Sequence, residues 1–181
     1  MDRPSHGFRS TDDRPDGAAG LHPLVVVKLW DNPCCLSFRL NHLALSFNTP
    51  IYGWIEAHYR LTRPEFAVIY SLSLKDGVAA KDVCSAFGFP KNTISRAIQL
   101  LLKRALVCRA PDESDRRSFV LKLVPAGRRI VAGAMPAMIE RERMMLSSLT
   151  QAEQHMLLEL MSKMVMNSSE WPAAIDMKAQ A

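Results

Sequence analysis

Apolar residues recur at helical spacing in a short segment near the middle of the chain. Four of them share one helical face, at positions i, i+3, i+4 and i+7: Ala80, Val83, Cys84 and Phe87. Gly88 predicts the end of this helix, because glycine tolerates the left-handed backbone that a tight exit requires. The pattern therefore predicts a short amphipathic helix followed by a turn.

A second amphipathic segment follows at once. Pro90 predicts its start, because the fixed φ of proline suits a first helical turn. Its apolar face consists of Ile94, Ile98, Leu101 and Ala105, and its polar surface of Lys91, Asn92, Thr93, Ser95, Arg96, Gln99 and Lys103. Two such helices joined by a tight turn predict a helix-turn-helix.

A hairpin with a charged tip is predicted directly after the second helix. Its strands are expected near residues 106–109 and 118–124, on either side of the charged segment 112–117. The fold class is therefore mainly α with a small β-wing, a winged helix-turn-helix. Such an arrangement is typical of proteins that bind duplex DNA.

Two helix starts carry capping boxes, in which a threonine is followed three residues later by a glutamate. Thr62 and Glu65 predict the start of a helix that ends at Asp76-Gly77, and Thr150 and Glu153 predict the start of a last helix to about residue 166. Both helices lie outside the helix-turn-helix, one before it and one after it.

Two longer helical segments each contain a proline. One is predicted over residues 35–59, after a start signal at Asp31-Asn32-Pro33, and the other from residue 125 to about 148. Pro50 predicts a kink or break in the first, and Pro136 a bend in the second, because proline removes a helical hydrogen bond.

These elements divide the chain into two tails and one domain. Residues 1–22 are polar and rich in Gly and Pro, which predicts a flexible tail, and residues 168–181 predict a second tail. The domain spans 23–167, with Leu24 to Trp30 as a short apolar stretch that packs on it. Its parts are the reading elements 79–124 and the outer helices 35–59 and 126–167.

The outer helices are more apolar than a winged-helix unit needs. They are rich in Leu, Met, Phe and Ile, including a methionine-rich run from Met135 to Met166, whereas such a unit requires only about 70 residues. Apolar surface beyond the needs of a small domain commonly forms an oligomer interface. We therefore expect these helices to supply core and to dimerise.

The positive charge is concentrated where the reading elements are predicted. Residues 79–130 hold eleven Lys and Arg and four Asp and Glu, a net charge of +7, so the rest of the chain carries −2 of the total +5. Such a local field suits the neutralisation of DNA phosphates. A solvated basic face without a partner is the alternative interpretation.

Several other classes of protein find little support. None of the four cysteines forms a C-x-x-C pair, so no zinc site is predicted. The five histidines join no catalytic motif and no glycine-rich phosphate loop occurs, so neither an enzyme nor a cofactor is expected. There is no apolar run of membrane-spanning length and no signal-peptide core, which predicts a cytoplasmic protein.

Three stretches of sequence resemble one known family. They are Leu61-Thr62-Arg63-Pro64-Glu65-Phe66, Asn92-Thr93-Ile94-Ser95-Arg96 and Asp115-Arg116-Arg117-Ser118-Phe119-Val120-Leu121. The last contains a wing pattern Asp-x-Arg-x-x-x-Leu, and a Leu-x-Pro-x-Gly pattern follows at Leu123, Pro125 and Gly127. Together they resemble MarR-family winged-helix transcription regulators, over roughly residues 38–165. Pro90 departs from the family, which usually has a Ser or Asp helix cap there.

The resemblance implies which residues contact DNA. On the reading helix these are Lys91, Asn92, Thr93, Ser95, Arg96 and Gln99, and on the wing Arg116 and Arg117. Asn92 has a local capping role as its alternative, and Arg96 a solvated one. In the family the Asp-x-Arg pair forms an ion pair, so Asp115 would orient Arg117 towards a minor groove. A charged turn with no partner is the alternative interpretation of these wing residues.

The resemblance also implies a partner and a mode of control. The family dimerises through its terminal helices, so a homodimer on a near-palindromic operator is expected, acting as a repressor. Many relatives bind small aromatic acids beside the first helix, where Arg39, Asn41, His42 and Tyr52 offer polar groups, although His42 can equally be a core or interface residue.

Two alternative functions remain for the same fold. One is a thiol-based redox sensor, because some relatives sense peroxides through a cysteine near the start of the first helix. Cys34 and Cys35 lie nearby, but a gapless alignment puts Phe38 nearest that position. The other is a winged-helix module that contacts only proteins, which salt-dependent binding to duplex DNA would exclude.

Overall fold

The protein was analysed as a computed structural model, which describes residues 20–112, 118–172 and 174. Its helices are α1 (Pro23–Trp30), α2 (Cys35–Tyr59), α3 (Arg63–Leu74), α4 (Ala80–Phe87), α5 (Lys91–Lys103), α6 (Pro125–Leu146) and α7 (Gln151–Met166). The strands are β1 (Val107–Pro111) and β2 (Phe119–Leu123). The fold class predicted from the sequence, mainly α with a small β-wing, is confirmed. The chain divides into two compact units, Met1–Pro136 and Ala137–Ala181.

The N-terminal part of the first unit differs from the prediction. The apolar stretch after residue 23 is itself a helix, α1, which packs against α2. The predicted start signal at Asp31-Asn32-Pro33 is the link between the two helices, where the Asn32 side chain accepts a hydrogen bond from the Cys34 backbone N–H at 2.9 Å. Helix α2 then continues through Pro50 without interruption, so no break occurs there.

Helix α3 begins as the capping box predicts. The Glu65 carboxylate accepts hydrogen bonds from the Thr62 backbone N–H at 2.7 Å and from its hydroxyl at 2.6 Å. Glu65 is only 5% exposed, so these bonds satisfy a buried polar side chain. This start fixes the direction in which α3 enters the core.

The core of the first unit lies between α3 and α5. Helices α3 and α5 contact each other, and their fully buried side chains are Phe66, Ile69 and Leu72 on α3 and Ile94 and Leu101 on α5. Burial of each such side chain contributes about 1.5–3 kcal/mol to folding. The polar side of α5 is thereby turned towards solvent.

The end of α5 corrects one detail of the predicted apolar face. Ala105 was placed on that face, but α5 ends at Lys103 and Ala105 is exposed, with a positive φ of 50°. The left-handed residue turns the chain sharply, so that Leu106 and Val107 are buried at the start of the wing.

The two wing strands pair antiparallel, from Val107 opposite Leu123 to Pro111 opposite Phe119. The segment before α4 extends this pairing: the Gly77 N–H donates to the Leu121 carbonyl at 3.0 Å, and the Leu121 N–H donates to the Val78 carbonyl at 2.9 Å. The wing is therefore attached to the helix-turn-helix by backbone hydrogen bonds, which the sequence pattern did not predict.

The Leu-x-Pro-x-Gly pattern marks the point where the wing leads into α6. A Cβ atom on Gly127 would overlap the Leu106 carbonyl oxygen, and would lie 2.5 Å from a methyl of Leu123. Glycine is required at this position because the first turn of α6 lies directly against the start of β1 and the end of β2.

In the second unit, α7 begins with the predicted capping box. The Glu153 carboxylate accepts from the Thr150 N–H at 2.7 Å, and the Thr150 hydroxyl accepts from the Glu153 N–H at 3.3 Å. The Gln154 side chain donates to the carbonyls of Leu146 and Leu149, at 3.1 and 3.0 Å, which closes the end of α6. No residue of α7 is buried, although the helix is rich in Leu and Met.

The predicted tails fall mostly outside the described residues. Residues 1–19 are not among those described, and of the C-terminal segment Ser168–Glu170 forms a single 3₁₀ turn. The methionine-rich run is only partly core: Met138 is buried, whereas Met144, Met156 and Met166 are exposed.

Candidate nucleic-acid interface

Helix α5 has two sharply different faces. Ile94, Ala97, Ile98 and Leu101 are buried, whereas Lys91, Asn92, Ser95, Arg96 and Gln99 are exposed and Thr93 is half-buried. All six residues predicted for the reading helix therefore lie on one exposed or partly exposed surface. A helix of 13 residues is about 20 Å long, enough to lie in a major groove.

The start of α5 has an unusual cap. Pro90 is the N-cap residue and makes no side-chain cap hydrogen bond, so its carbonyl accepts from Thr93 N–H at 2.9 Å as the helix begins. The Asn92 side chain accepts from the same Thr93 N–H, also at 2.9 Å. Asn92 therefore has the local capping role that was the alternative to a DNA contact. Its exposed amide group can still form hydrogen bonds with a partner.

A groove of about 350 Å³ between α4 and α5 adds residues that the sequence argument did not single out. Lys81 and Ser85 of α4 face Lys91 and Ser95 of α5 across it, with the half-buried Cys84 between them. Lys81 and Ser85 are four residues apart, hence on one side of α4. This spacing in the sequence could have identified the two residues. They extend the polar surface from α5 onto α4.

Two basic residues of this region bind other parts of the protein. The Arg104 guanidinium donates to the carbonyls of Arg60 and Tyr59, and Arg128 pairs with Asp76 at 2.6 Å. Asp76 also accepts from the Leu123 backbone N–H at 2.8 Å. Two of the eleven basic residues counted in the sequence therefore join secondary-structure elements to one another.

The predicted wing residues Asp115, Arg116 and Arg117 lie outside the described residues, as does the whole segment 113–117. The described part of the wing contributes exposed Arg109 and Lys122, on neighbouring strands. Arg109 pairs with Leu121 and Lys122 with Cys108, so the two basic side chains lie on opposite faces of the hairpin.

The four candidate ligand-binding residues of α2 form two groups. Arg39, Asn41 and His42 lie within one turn, whereas Tyr52 lies 10 to 13 residues further on, about 15–20 Å along the helix axis. Arg39 donates to the Cys35 carbonyl at 3.0 Å, and the His42 ring lies 5.5 Å from that of Phe38. One small ligand cannot contact both groups within one molecule.

Tyr52 lies against an arginine. Burial raises the pKa of the Tyr52 hydroxyl above its usual value of 10.0, and the charge of Arg63 and its hydrogen bond act in the opposite direction. The Arg63 guanidinium carbon lies 5.2 Å from the centre of the Tyr52 ring. This contact joins α2 to the first residue of α3.

The four cysteines are free thiols, with Cys34 and Cys108 exposed and Cys35 and Cys84 half-buried. Within the described ranges, no group of three His, Cys, Asp or Glu side chains is arranged to hold a metal ion. A search of the same residues found no helix with the length and apolar character needed to cross a bilayer.

Comparison with known proteins agrees with this geometry. The profile of the MarR family matches residues 61–118. The transcriptional regulator HosA of Escherichia coli O157:H7 is 29% identical over 105 residues, which cover 58% of this chain and 78% of HosA.

Solved structures show the same fold. A MarR-family regulator from Silicibacter pomeroyi superposes with a TM-score of 0.68 at 22% identity, covering 86% of this chain and 99% of the other. Staphylococcus aureus MepR in complex with DNA gives 0.63 at 20% identity, covering 75% and 96%. Bordetella bronchiseptica BpsR, whose DNA binding is regulated by 6-hydroxynicotinic acid, gives 0.57 at 25% identity, covering 70% and 91%.

Fold and surface together define a winged helix-turn-helix transcriptional regulator. The chain is similar to the MarR family, whose profile matches residues 61–118 and whose member from Silicibacter pomeroyi has the same fold.

Proposed function

We propose that this protein is a homodimeric repressor that binds a near-palindromic duplex DNA site. The observation that carries the proposal is the exposed face of α5, where Lys91, Asn92, Ser95, Arg96 and Gln99 stand opposite a fully buried apolar face. A helix held in this way can insert polar side chains into a major groove without loss of core packing.

The residue types on this face suit duplex DNA. Arginine forms bidentate hydrogen bonds with guanine, and the amides of Asn92 and Gln99 suit adenine. Lys91, and Lys81 across the groove, suit phosphates. The proposal therefore assigns base contacts to Arg96 and Asn92, and backbone contacts to the two lysines. The wing arginines Arg116 and Arg117 would add minor-groove contacts, oriented by Asp115.

The apolar outer helices support the dimer. On α2, Leu36, Leu40 and Leu43 follow one another at helical spacing and are exposed, and on α7 Leu160, Met161 and Val165 are exposed as well. Exposed apolar side chains of this number are unfavourable in water unless a partner covers them. A second copy of the chain is the partner we propose, through a two-fold interface that sets the two reading helices about 34 Å apart.

Control by a small aromatic acid is the finer part of the proposal. BpsR offers the parallel, since a hydroxylated pyridine carboxylic acid regulates its binding to DNA. In this chain Arg39 and His42 would hold the carboxylate, with Asn41 beside them, and Tyr52 lies too far along α2 to share the same ligand. A ligand that favours a different spacing of the two reading helices lowers affinity for the operator.

The experiment is a footprint of the purified protein on the DNA upstream of its own gene, with and without aromatic acids. We expect protection of a near-palindromic site and its loss on addition of an effective acid. Binding should weaken steeply with salt, because phosphate neutralisation releases counterions. Absence of salt-dependent binding to that DNA and to a library of random duplexes would contradict the proposed function.

A further inference from the structure

We infer that Arg63 is a positioning residue for the reading helix, acting through Phe89 in the turn between α4 and α5. The inference rests on the proposed function, since it concerns how α5 is presented to DNA. Its basis is an arginine placed between two aromatic rings that belong to different elements.

The turn of the helix-turn-helix is only three residues long, Gly88-Phe89-Pro90. Gly88 has a positive φ of 63°, and Pro90 caps α5 without a side-chain hydrogen bond. A Ser or Asp cap would fix the start of a helix by bonding its free N–H groups, which proline cannot do. The cap residue itself therefore does not fix the start of α5, where the Asn92 side chain accepts from one of the free N–H groups, that of Thr93.

Phe89 is the residue of this turn that reaches another element. Its half-buried ring lies beneath the Arg63 guanidinium, with the guanidinium carbon 5.6 Å from the ring centre. The same guanidinium carbon is 5.2 Å from the centre of the Tyr52 ring. Arginine commonly stacks on aromatic faces in this way, because its charge is delocalised over a flat group.

Both ends of this contact are anchored. Tyr52 meets the fully buried Phe66 edge-on, at 6.2 Å between ring centres, and Phe66 stacks on Tyr70 at 6.1 Å. Arg63 itself follows Thr62, whose capping box fixes the first turn of α3. The aromatic cluster thus supports Arg63 from the core side, and Arg63 supports Phe89 from the other.

The charge of Arg63 is held by rings rather than by an acid. Within the described part of the chain, no carboxylate lies within ion-pair distance of its guanidinium. A cation stacked on aromatic rings keeps its position without a partner of opposite charge. Arg63 is exposed on its outer side, so removal of the side chain leaves the buried core intact.

The test compares Arg63→Gln, Arg63→Lys, Phe89→Leu and the double variant Arg63→Gln/Phe89→Leu. Hydrogen exchange of the Thr93 and Ile94 amides in the free protein is the first measurement, because both donate to the Pro90 carbonyl at the start of α5. We expect faster exchange of these two amides in Arg63→Gln and Phe89→Leu, with unchanged exchange in the α3 core. Arg63→Lys should recover part of the protection, since it keeps a cation.

Affinity for the footprinted duplex is the second measurement, at several salt concentrations. Arg63→Gln and Phe89→Leu should each weaken binding about three- to tenfold, and the double variant no more than the worse single one. The slope of log affinity against log salt should stay unchanged, because no phosphate contact is lost. A slope shallower by about one would mean that Arg63 contacts a phosphate itself, and would overturn the inference.

Unchanged amide exchange, or additive losses in the double variant, would overturn it equally. Duplex binding by the wild-type protein shows whether the inference about Arg63 or the proposed function itself has failed. If wild type binds no duplex, the proposed function is wrong and the assignment of Arg63 to DNA presentation falls with it. If wild type binds and the variants bind equally well, only the inference about Arg63 is wrong.

Discussion

The guanidinium of Arg104 closes the end of α2 at Arg60: its Nη1 donates to the Arg60 carbonyl at 2.7 Å, and its Nη2 donates to that of Tyr59 at 3.0 Å. Arg60 has a left-handed φ of 54°, so the last carbonyls of α2 lack helical partners. One side chain just beyond α5 thereby satisfies the end of a helix more than forty residues earlier in the sequence.

Arg104→Ala should therefore lower the free energy of unfolding, by about 1–2 kcal/mol, since charged donors are lost from two carbonyls. Urea denaturation measures the change. Lys103→Ala is the matched control, because Lys103 is an exposed neighbour at the end of α5 and should cost little. Equal stability of the two variants would show that the Arg104 contacts contribute nothing in solution.

The close approach at the wing exit gives a second prediction. Gly127→Ala should destabilise the protein by about 1–3 kcal/mol, because the new methyl group would overlap the backbone carbonyl of Leu106. Gly53→Ala is its control within a helix, since a Cβ there meets nothing within 4 Å. Alanine at Gly53 should stabilise by up to about 1 kcal/mol. Thermal unfolding that ranks the two variants the other way would contradict the geometry.

The parts of the fold that could be predicted from the sequence are those determined by a few neighbouring residues. The capping boxes at Thr62 and Thr150 need only four consecutive residues, and both helix starts are confirmed. The face of α5 needs only helical periodicity, and its apolar side is buried up to Leu101. The prediction failed at Ala105, because α5 ends at Lys103, two residues before the apolar pattern does, and Ala105 is left-handed.

Contacts between distant segments carry no local signature. Asp76 was interpreted only as part of a helix stop, yet it joins α3, β2 and α6 through Leu123 and Arg128. Arg104 and Arg128 were counted as basic surface, although both bind other elements. The candidate DNA-contacting residues of α5 could be selected by periodicity, whereas Arg63 could not, because its aromatic partners lie on α2 and in the turn before α5.

The Tyr52 hydroxyl predicts a dependence of stability on alkaline pH. Its pKa is raised in the folded protein, mainly by burial, so folding favours the neutral form. The stabilisation is fully present below the unfolded pKa of about 10, and is lost as pH rises through the folded value. Unfolding free energies of wild type and Tyr52→Phe, measured between about pH 8 and 12, should differ in slope. Wild type should lose stability more steeply above pH 10, and parallel curves would contradict the assignment.

The proposed dimer interface predicts a charge-sensitive face on α7. Leu160 is 53% exposed on that helix, whereas the exposed His155 lies on another side of it, with Gln151 and Glu159 at i−4 and i+4. Leu160→Glu should dissociate the dimer, because a carboxylate would be buried against apolar side chains of the second copy. His155→Glu introduces the same carboxylate and should leave a dimer. Sedimentation velocity at micromolar concentration distinguishes the two species, and a dimer in both variants would exclude this face.

The last prediction concerns Arg96 on the reading helix. Its side chain is exposed and lies off the buried face, so Arg96→Ala should leave the unfolding free energy within about 0.5 kcal/mol of wild type. If Arg96 contacts a guanine in bidentate fashion, the variant loses about 1–3 kcal/mol of binding free energy on the specific duplex and little on a scrambled one. If it contacts a phosphate, affinity falls equally on both duplexes and the salt slope decreases by about one.

Lys163→Ala, a basic residue of α7 paired with Glu159, controls for loss of charge alone. Fluorescence anisotropy with both duplexes at several salt concentrations separates these outcomes, and unchanged affinity of Arg96→Ala on the specific site would remove Arg96 from the interface.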